Sequence, residues 1–137
     1  MSKPLVRVYN NTTQTLTATA TPLALVGVVV VENAPCVIDA ISNSIVVKRT
    51  GYYHVVADVI FNATGTGTEE AYFTMNGTVL PCALSAANVV QGNIVTLHIE
   101  TDVPISACSI IKPQIQLVME GATGTISHLC IGVWERI

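Results

Sequence analysis

Charge is scarce in this chain. Lys, Arg, Asp and Glu make up 11% of its 137 residues, six bases against nine acids. A nucleic-acid binder of the usual kind needs a basic surface, and six cations do not supply one, so no nucleic-acid partner is expected. Aromatic residues are sparse as well, at 5% with a single Trp. Histidine occurs only at His54, His98 and His128, with neither H-x-H nor H-x-x-x-H spacing. A metal site made by one local segment is thereby excluded; convergence in the fold or on a symmetry axis would be required. The four cysteines, Cys36, Cys82, Cys108 and Cys130, contain no C-x-x-C pair, which removes zinc-ribbon and thioredoxin readings. They are expected to be free and buried as small hydrophobes.

Long apolar runs are missing too. The most apolar stretch, Leu23 to Val31, has nine residues, against about 20 for a membrane-spanning helix. Residues 1–8 lead directly into the polar tract from Tyr9 to Gln14, without the apolar core and cleavage site of a signal peptide. The expectation is a protein made in the cytoplasm, with no membrane partner.

What the chain does have is β-branched bulk: 20 Val, 13 Ile and 16 Thr. These side chains pack well on pleated sheets and lose freedom in helices. Mean hydropathy is +0.56, high for a domain so poor in charge. A surface partly buried in an oligomer accounts for that combination, because obligate interfaces resemble a core cut in half.

No window keeps a helical period. Strand-like runs recur between turn signals instead. Leu5 to Tyr9 reads as a first strand, Gln14 to Ala20 as a polar strand or arm, and Leu23 to Val31 as a strand buried on both faces. Cys36 to Asp39 and Ile45 to Lys48 follow as short strands. Tyr52 to Phe61 is the clearest strand. Its apolar set, Tyr53, Val55, Ala57, Val59 and Phe61, is expected to face the core. The other set, Tyr52, His54, Val56, Asp58 and Ile60, mixes polar and apolar groups as a subunit interface does. Asn62 to Thr68 reads as a flexible loop. Asn76-Gly77, between Glu70–Met75 and Thr78–Leu84, is a strong hairpin signal. Strands at Ile94 to Thr101, Gln114 to Met119 and Thr125 to Glu135 complete about nine or ten in a single domain, residues 1–137. Such spacing predicts an all-β, antiparallel two-sheet sandwich or barrel.

Several segments resemble a known family. The stretch Val46 to Phe61 (VVKRTGYYHVVADVIF) resembles the strand of C1q/TNF-like jelly rolls that a glycine and a tyrosine lead into. The segment Ala71 to Ala83 (AYFTMNGTVLPCA) is similar to their hairpin with its N-G turn. Val95 to Ile105 (VTLHIETDVPI) is similar to the strand that follows, and the T-x-T-P-L element Thr19 to Leu23 also fits. The resemblance implies a jelly-roll sandwich that assembles as a compact homotrimer. In overall character, a short, charge-poor chain rich in Val, Thr and Asn, the sequence resembles the compact jelly-roll trimers of tailed bacteriophages, their head-decoration and fibre-head proteins.

Candidate sites are few. No G-x-S-x-G, glycine-rich phosphate loop or activated thiol is present, and the pair His128-x-Cys130 sits in an apolar setting that predicts an inert buried thiol. No catalytic residue and no cofactor is expected, and the chain is not read as an enzyme. The weak metal candidates are Glu100 and Asp102, as oxygen donors for calcium, and His54 on a threefold axis. Glu69-Glu70 reads as a solvated pair at a loop edge. Asn10, Asn11, Asn62 and Asn76 each open Asn-x-Ser/Thr, a chance pattern in so Thr- and Asn-rich a chain. Lys3 and Arg7 are the anchoring candidates, with 1–8 either an anchoring arm or the first strand. Asn62, Thr64, Thr66 and Thr68 are the loop-contact candidates. The function expected is structural: a trimer in the virion that decorates the capsid, with the major capsid protein or another virion component as partner. The alternative is a fibre tip that binds a receptor or host surface glycan, or another C1q/TNF-like binding module; Tyr52 and Tyr72 are the aromatic candidates, since Trp134 reads as lying near the end of a core strand.

Overall fold

Period-two alternation governs the computed structural model, which describes residues 3–25 and 28–136, with the backbone alone for 28–30. Its strands, in chain order, begin with β1 (Leu5–Asn10), β2 (Gln14–Leu16), β3 (Thr21–Pro22) and β4 (Val28–Glu32). There follow β5 (Ile38–Ile41), β6 (Ser44–Val47), β7 (Gly51–Ala63) and β8 (Gly67–Met75). The last four are β9 (Thr78–Val89), β10 (Ile94–Ile105), β11 (Gln114–Glu120) and β12 (Gly124–Arg136). No helix occurs among the described residues, as the β-branched composition requires.

Two antiparallel sheets face each other. Sheet A runs β10-β7-β12-β1-β4, with β2 also paired to β12. Sheet B runs β5-β6-β11-β8-β9, with β3 also paired to β11. The chain repeatedly crosses between sheets, as at β6 to β7, β7 to β8 and β9 to β10. The core lies between them. Tyr53, Val55, Ala57, Val59 and Phe61 of β7 are at most 1% exposed. Val6 and Val8 of β1 and Leu129, Ile131 and Val133 of β12 join them from sheet A. Phe73, Ile115, Leu117 and Met119 oppose them from sheet B. Each Val, Leu, Ile, Phe or Met among them contributes about 1.5–3 kcal/mol by leaving water.

Local chemistry sets the boundaries. The Tyr53 hydroxyl donates to the Arg49 carbonyl behind Gly51, and burial pushes that phenol up to about 12. Asn76 and Gly77 hold φ of 52° and 84°, the mirror-image turn that the Asn-Gly pair favours. Gly121 has φ +121°, and a Cβ there would collide with the Thr68 carbonyl oxygen.

Five sequence expectations are corrected. The polar strand stops at Leu16, where the backbone bends before Thr21. Leu23 and Leu25 are buried, but as an irregular segment bonded to Leu117 and Ser42 carbonyls; residues 26–27 of the expected strand Leu23 to Val31 lie outside the described residues. The loop Asn62 to Thr68 shrinks to residues 64–66, because Ala63 bonds to Asn93 and Gly67 pairs with Val89. β10 continues to Ile105, since Pro104 pairs with Tyr52 on the sheet's edge strand. All four cysteines are free, yet Cys36, Cys82 and Cys108 are exposed and Cys130 is half-buried. They fall in turns, on an edge strand or on outward positions of the alternation, so the core never needed them.

The pairing fixes two poles. Leu5 pairs with Trp134, so the described chain ends lie side by side. With them lie the start of β7, the end of β10, the Asn76-Gly77 turn and the segment 106–113. The opposite pole carries residues 64–66, 90–93 and 121–123.

Candidate assembly interface

The outer face of sheet A collects most of the chain's chemistry. On β7 the outward residues are Tyr52, His54, Val56, Asp58 and Ile60, the set with the mixed composition of an interface. The register extends this set into rows. Asp102, His54, Trp134 and Leu5 form one row; Glu100, Val56, Gly132 and Arg7 the next; His98, Asp58, Cys130 and Tyr9 a third. All three histidines lie on this face, since His128 follows beside Tyr9 at 6.1 Å between ring centroids.

Cross-strand pairing orders the titratable groups. The His54 Nδ1–H donates to Asp102 Oδ1 at 2.5 Å, and Nε2 lies 3.3 Å from Glu100 Oε2. Arg136 Nη1 donates to Asp102 Oδ2 at 2.9 Å. Hydrogen bonds from His54 and then Arg136 hold the Asp102 carboxyl below its ordinary range. The His98 Nδ1–H donates to Asp58 Oδ1 at 2.6 Å, and that bond raises the His98 imidazole. The Trp134 ring packs on His54 at 4.5 Å, fixing the imidazole from the side away from Asp102.

The metal candidates Glu100, Asp102 and His54 are thus brought together, but as an ion-pair ladder. Among the described residues no cluster of His, Cys, Asp and Glu is arranged to hold a metal ion. Lys3 and Arg7 take no part in an ion pair among the described residues. Residues 5–8 lie within sheet A as β1, so the anchoring arm is reduced to residues before Leu5, of which 1–2 lie outside the described residues. Lys3, Leu5, Arg7, Asn33 and Trp134 line an open recess of about 430 Å³. Asn33 builds its wall by accepting from the Leu5 amide at 2.8 Å and donating to the Lys3 carbonyl at 2.9 Å.

Other expected positions separate. Asn62 ends half-buried in β7, and Thr68 Oγ1 donates to Asn88 Oδ1 at 2.7 Å inside the β8–β9 pairing. Thr64 and Thr66 remain exposed at the opposite pole. Tyr72 is 9% exposed and offers no platform, whereas Tyr52 is 48% exposed. Trp134 and Cys130 are not core residues. The alternation of β12 turns Leu129, Ile131 and Val133 inward and their neighbours out. Glu69 is not solvated: it points inward and is fully buried.

Two exposed apolar features are not anticipated from the sequence. β9 ends sheet B with Val79 and Leu84 more than half exposed. Residues from Ala71 to Leu97 include no Asp, Glu, Lys, Arg or His, a signal that would have found this edge. Ile110 is 99% and Ile111 79% exposed on segment 106–113.

The strand order and the two antiparallel sheets make the fold an all-β jelly-roll sandwich of the C1q/TNF type. Solved structures agree. Murine APRIL at pH 5.0 superposes with a TM-score of 0.78 at 12% identity, covering 98% of this chain and 100% of that one. Eiger TNF from S. frugiperda gives 0.65 at 9% identity, covering 98% and 94%. The globular domain of zebrafish complement 1qA protein gives 0.60 at 11% identity, covering 99% and 98%. At these identities the likeness is one of fold. The chain matches no protein-family model and no curated protein sequence. No helix among the described residues is long and apolar enough to cross a membrane.

Proposed function

We propose that the chain is a structural, non-enzymatic protein that assembles as a homotrimer and decorates a bacteriophage capsid. The observation that carries the assembly is the outer face of sheet A, where Tyr52, Val56, Ile60, Ile94 and Trp134 sit among a polar ladder with no described element over them. Such a mixture of aromatic, aliphatic and paired polar groups is the composition of a subunit interface. The exposed edge of β9 supports the same reading, because an uncovered apolar edge invites association. Capsid attachment is supported by the resemblance in sequence character to phage decoration proteins. Its docking end is assigned to the pole of the chain ends, where Lys3 lies and where Ile110 and Ile111 are exposed. Three copies multiply a modest contact by avidity.

Light scattering behind size-exclusion chromatography at micromolar concentration tests the assembly. A mass near three chains supports the reading, and a monomer ends it. Co-sedimentation with capsids of the phage encoding the chain tests the attachment. Loss of binding by the Ile110→Asp, Ile111→Asp chain is expected; absence of binding by the unaltered trimer overturns capsid decoration.

A further inference from the structure

The outer face of sheet A is electrically divided. Its β10–β7 side carries Asp58, Glu100 and Asp102 with His54 and His98 between them. Of these acids only Asp102 has a permanently charged partner among the described residues, Arg136. Among the described residues Asp58 and Glu100 meet imidazoles alone. The β1 side carries Arg7 and Lys3 at the rim of the recess beside Trp134, without an ion pair among the described residues. Arg7 and Glu100 share a row but stand three strands apart, roughly 14 Å at ordinary strand spacing. Within one copy they cannot pair. Between them Gly132 leaves the row low, with the Val56 and Trp134 side chains and the Val6 carbonyl oxygen nearest to it.

We propose that the recess formed by Lys3, Leu5, Arg7 and Trp134 is the seat for the acidic β10 side of a second copy of this chain, with Glu100 and Asp58 of one copy pairing with Arg7 and Lys3 of the next. This deepens the assembly reading and rests on it. The occupant is a second copy because both halves of the complement are on the same face: two acids, Asp58 and Glu100, that meet imidazoles rather than a permanent cation, and two bases, Arg7 and Lys3, without an ion pair among the described residues. Each copy offers one acidic and one basic half, so every contact in a closed ring can be made the same way. Charge complementarity of this kind fixes register and excludes wrong orientations more than it adds raw affinity.

The test uses the full chain. Arg7→Glu and Glu100→Lys replace exposed side chains, so each variant is expected to keep the far-UV circular dichroism and melting behaviour of the unaltered chain. Each single reversal is expected to weaken association at least tenfold, seen as a shift of the assembled mass toward monomer on dilution. The chain carrying both reversals is expected to regain the assembled mass, since the two halves again match. Raising salt from roughly 0.1 to 0.5 M is expected to weaken the unaltered assembly and to narrow the gap between it and the single variants. Single reversals that associate as tightly as the unaltered chain overturn the proposed pairing while leaving the assembly reading intact. So does a double reversal no better than either single one. An unaltered chain that is monomeric at every concentration overturns the assembly reading and this pairing with it.

Discussion

Glu69 and Ala122 are joined through the sandwich's end: the Ala122 amide donates to Glu69 Oε1 at 2.8 Å, and the second carboxyl oxygen is buried without a partner. Burial pushes this carboxyl from its ordinary 4.5 up to about 7, against the pull of the Ala122 hydrogen bond. The raised value means that the folded state holds the proton more tightly than the unfolded one. Its stabilising effect is complete below about pH 4.5 and is lost as pH rises through 7. Glu69→Gln keeps the acceptor for Ala122 and removes the charge. Urea unfolding is expected to show the variant more stable than the unaltered chain at pH 8, by on the order of 2 kcal/mol, with the gap closing near pH 4.5. Equal stability at pH 8 would sink this account.

Gly121 sits in the same turn. Its positive φ and the closeness of the Thr68 carbonyl leave no room for a side chain. Gly121→Ala is expected to cost at least about 2 kcal/mol in chemical unfolding. Gly92→Ala, at φ +94° with nothing within 4 Å, pays for the backbone alone and is expected to cost about half as much. Comparing the two separates collision from backbone strain.

His98 is expected to titrate above 6.5, because Asp58 accepts its Nδ1–H. Asp58→Asn lowers that midpoint in an NMR titration of the imidazole signals. The pair's contribution to the fold is present below pH 6.5 and fades as pH passes the raised midpoint. An unmoved His98 midpoint in the Asn variant would show that the pair does not form in solution.

The thiols give a map of what assembly covers. Cys36 and Cys108 are exposed away from the outer face of sheet A, and the Cys108 thiol is lowered by hydrogen bonds from Thr50 and Ser106. Both are expected to react with a thiol reagent in native protein, Cys108 first because thiolate is the reactive form. Cys130, half-buried on the outer face, is expected to react only on dilution to monomer. Equal rates for Cys130 in the assembled and diluted samples would place the interface elsewhere.

Leu84 tests the edge. It is 58% exposed on β9, so Leu84→Asp leaves the monomer's core untouched and is expected to change its melting temperature little. A charge on an uncovered edge discourages pairing between chains. Light scattering is expected to show weaker association, and unchanged association would mean that β9 stays open to solvent.

The alternation of apolar and polar residues made much of the fold legible. Tyr53 to Phe61, the Asn76-Gly77 hairpin and the alternation of Ile94 to Glu100 could be read directly because a period of two assigns each side chain to a face. The same rule placed Tyr52 to Ile60 outside, on the face that gathers His54, Asp58 and their partners. What could not be read was register across strands. Nothing local says that Asp102 meets His54, or that Arg136 reaches the same carboxylate. Trp134 and Cys130 were misplaced although β12 alternates as regularly as β7, because their apolar character outweighed their position. Glu69 was misread for the opposite reason, since its charge suggested solvent while its place in β8 pointed inward.

Leu5 pairing with Trp134 gives the molecule a front and a back. Any tag, linker or neighbouring domain joined at either end of the chain emerges at one pole and leaves residues 64–66, 90–93 and 121–123 unobstructed. In a ring with a single axis along the strands, three pairs of tethers would leave together on one side. Cargo fused to the chain would then gather at the pole of the chain ends, and a peptide meant for the opposite side would have to be grafted into the loops of the far pole.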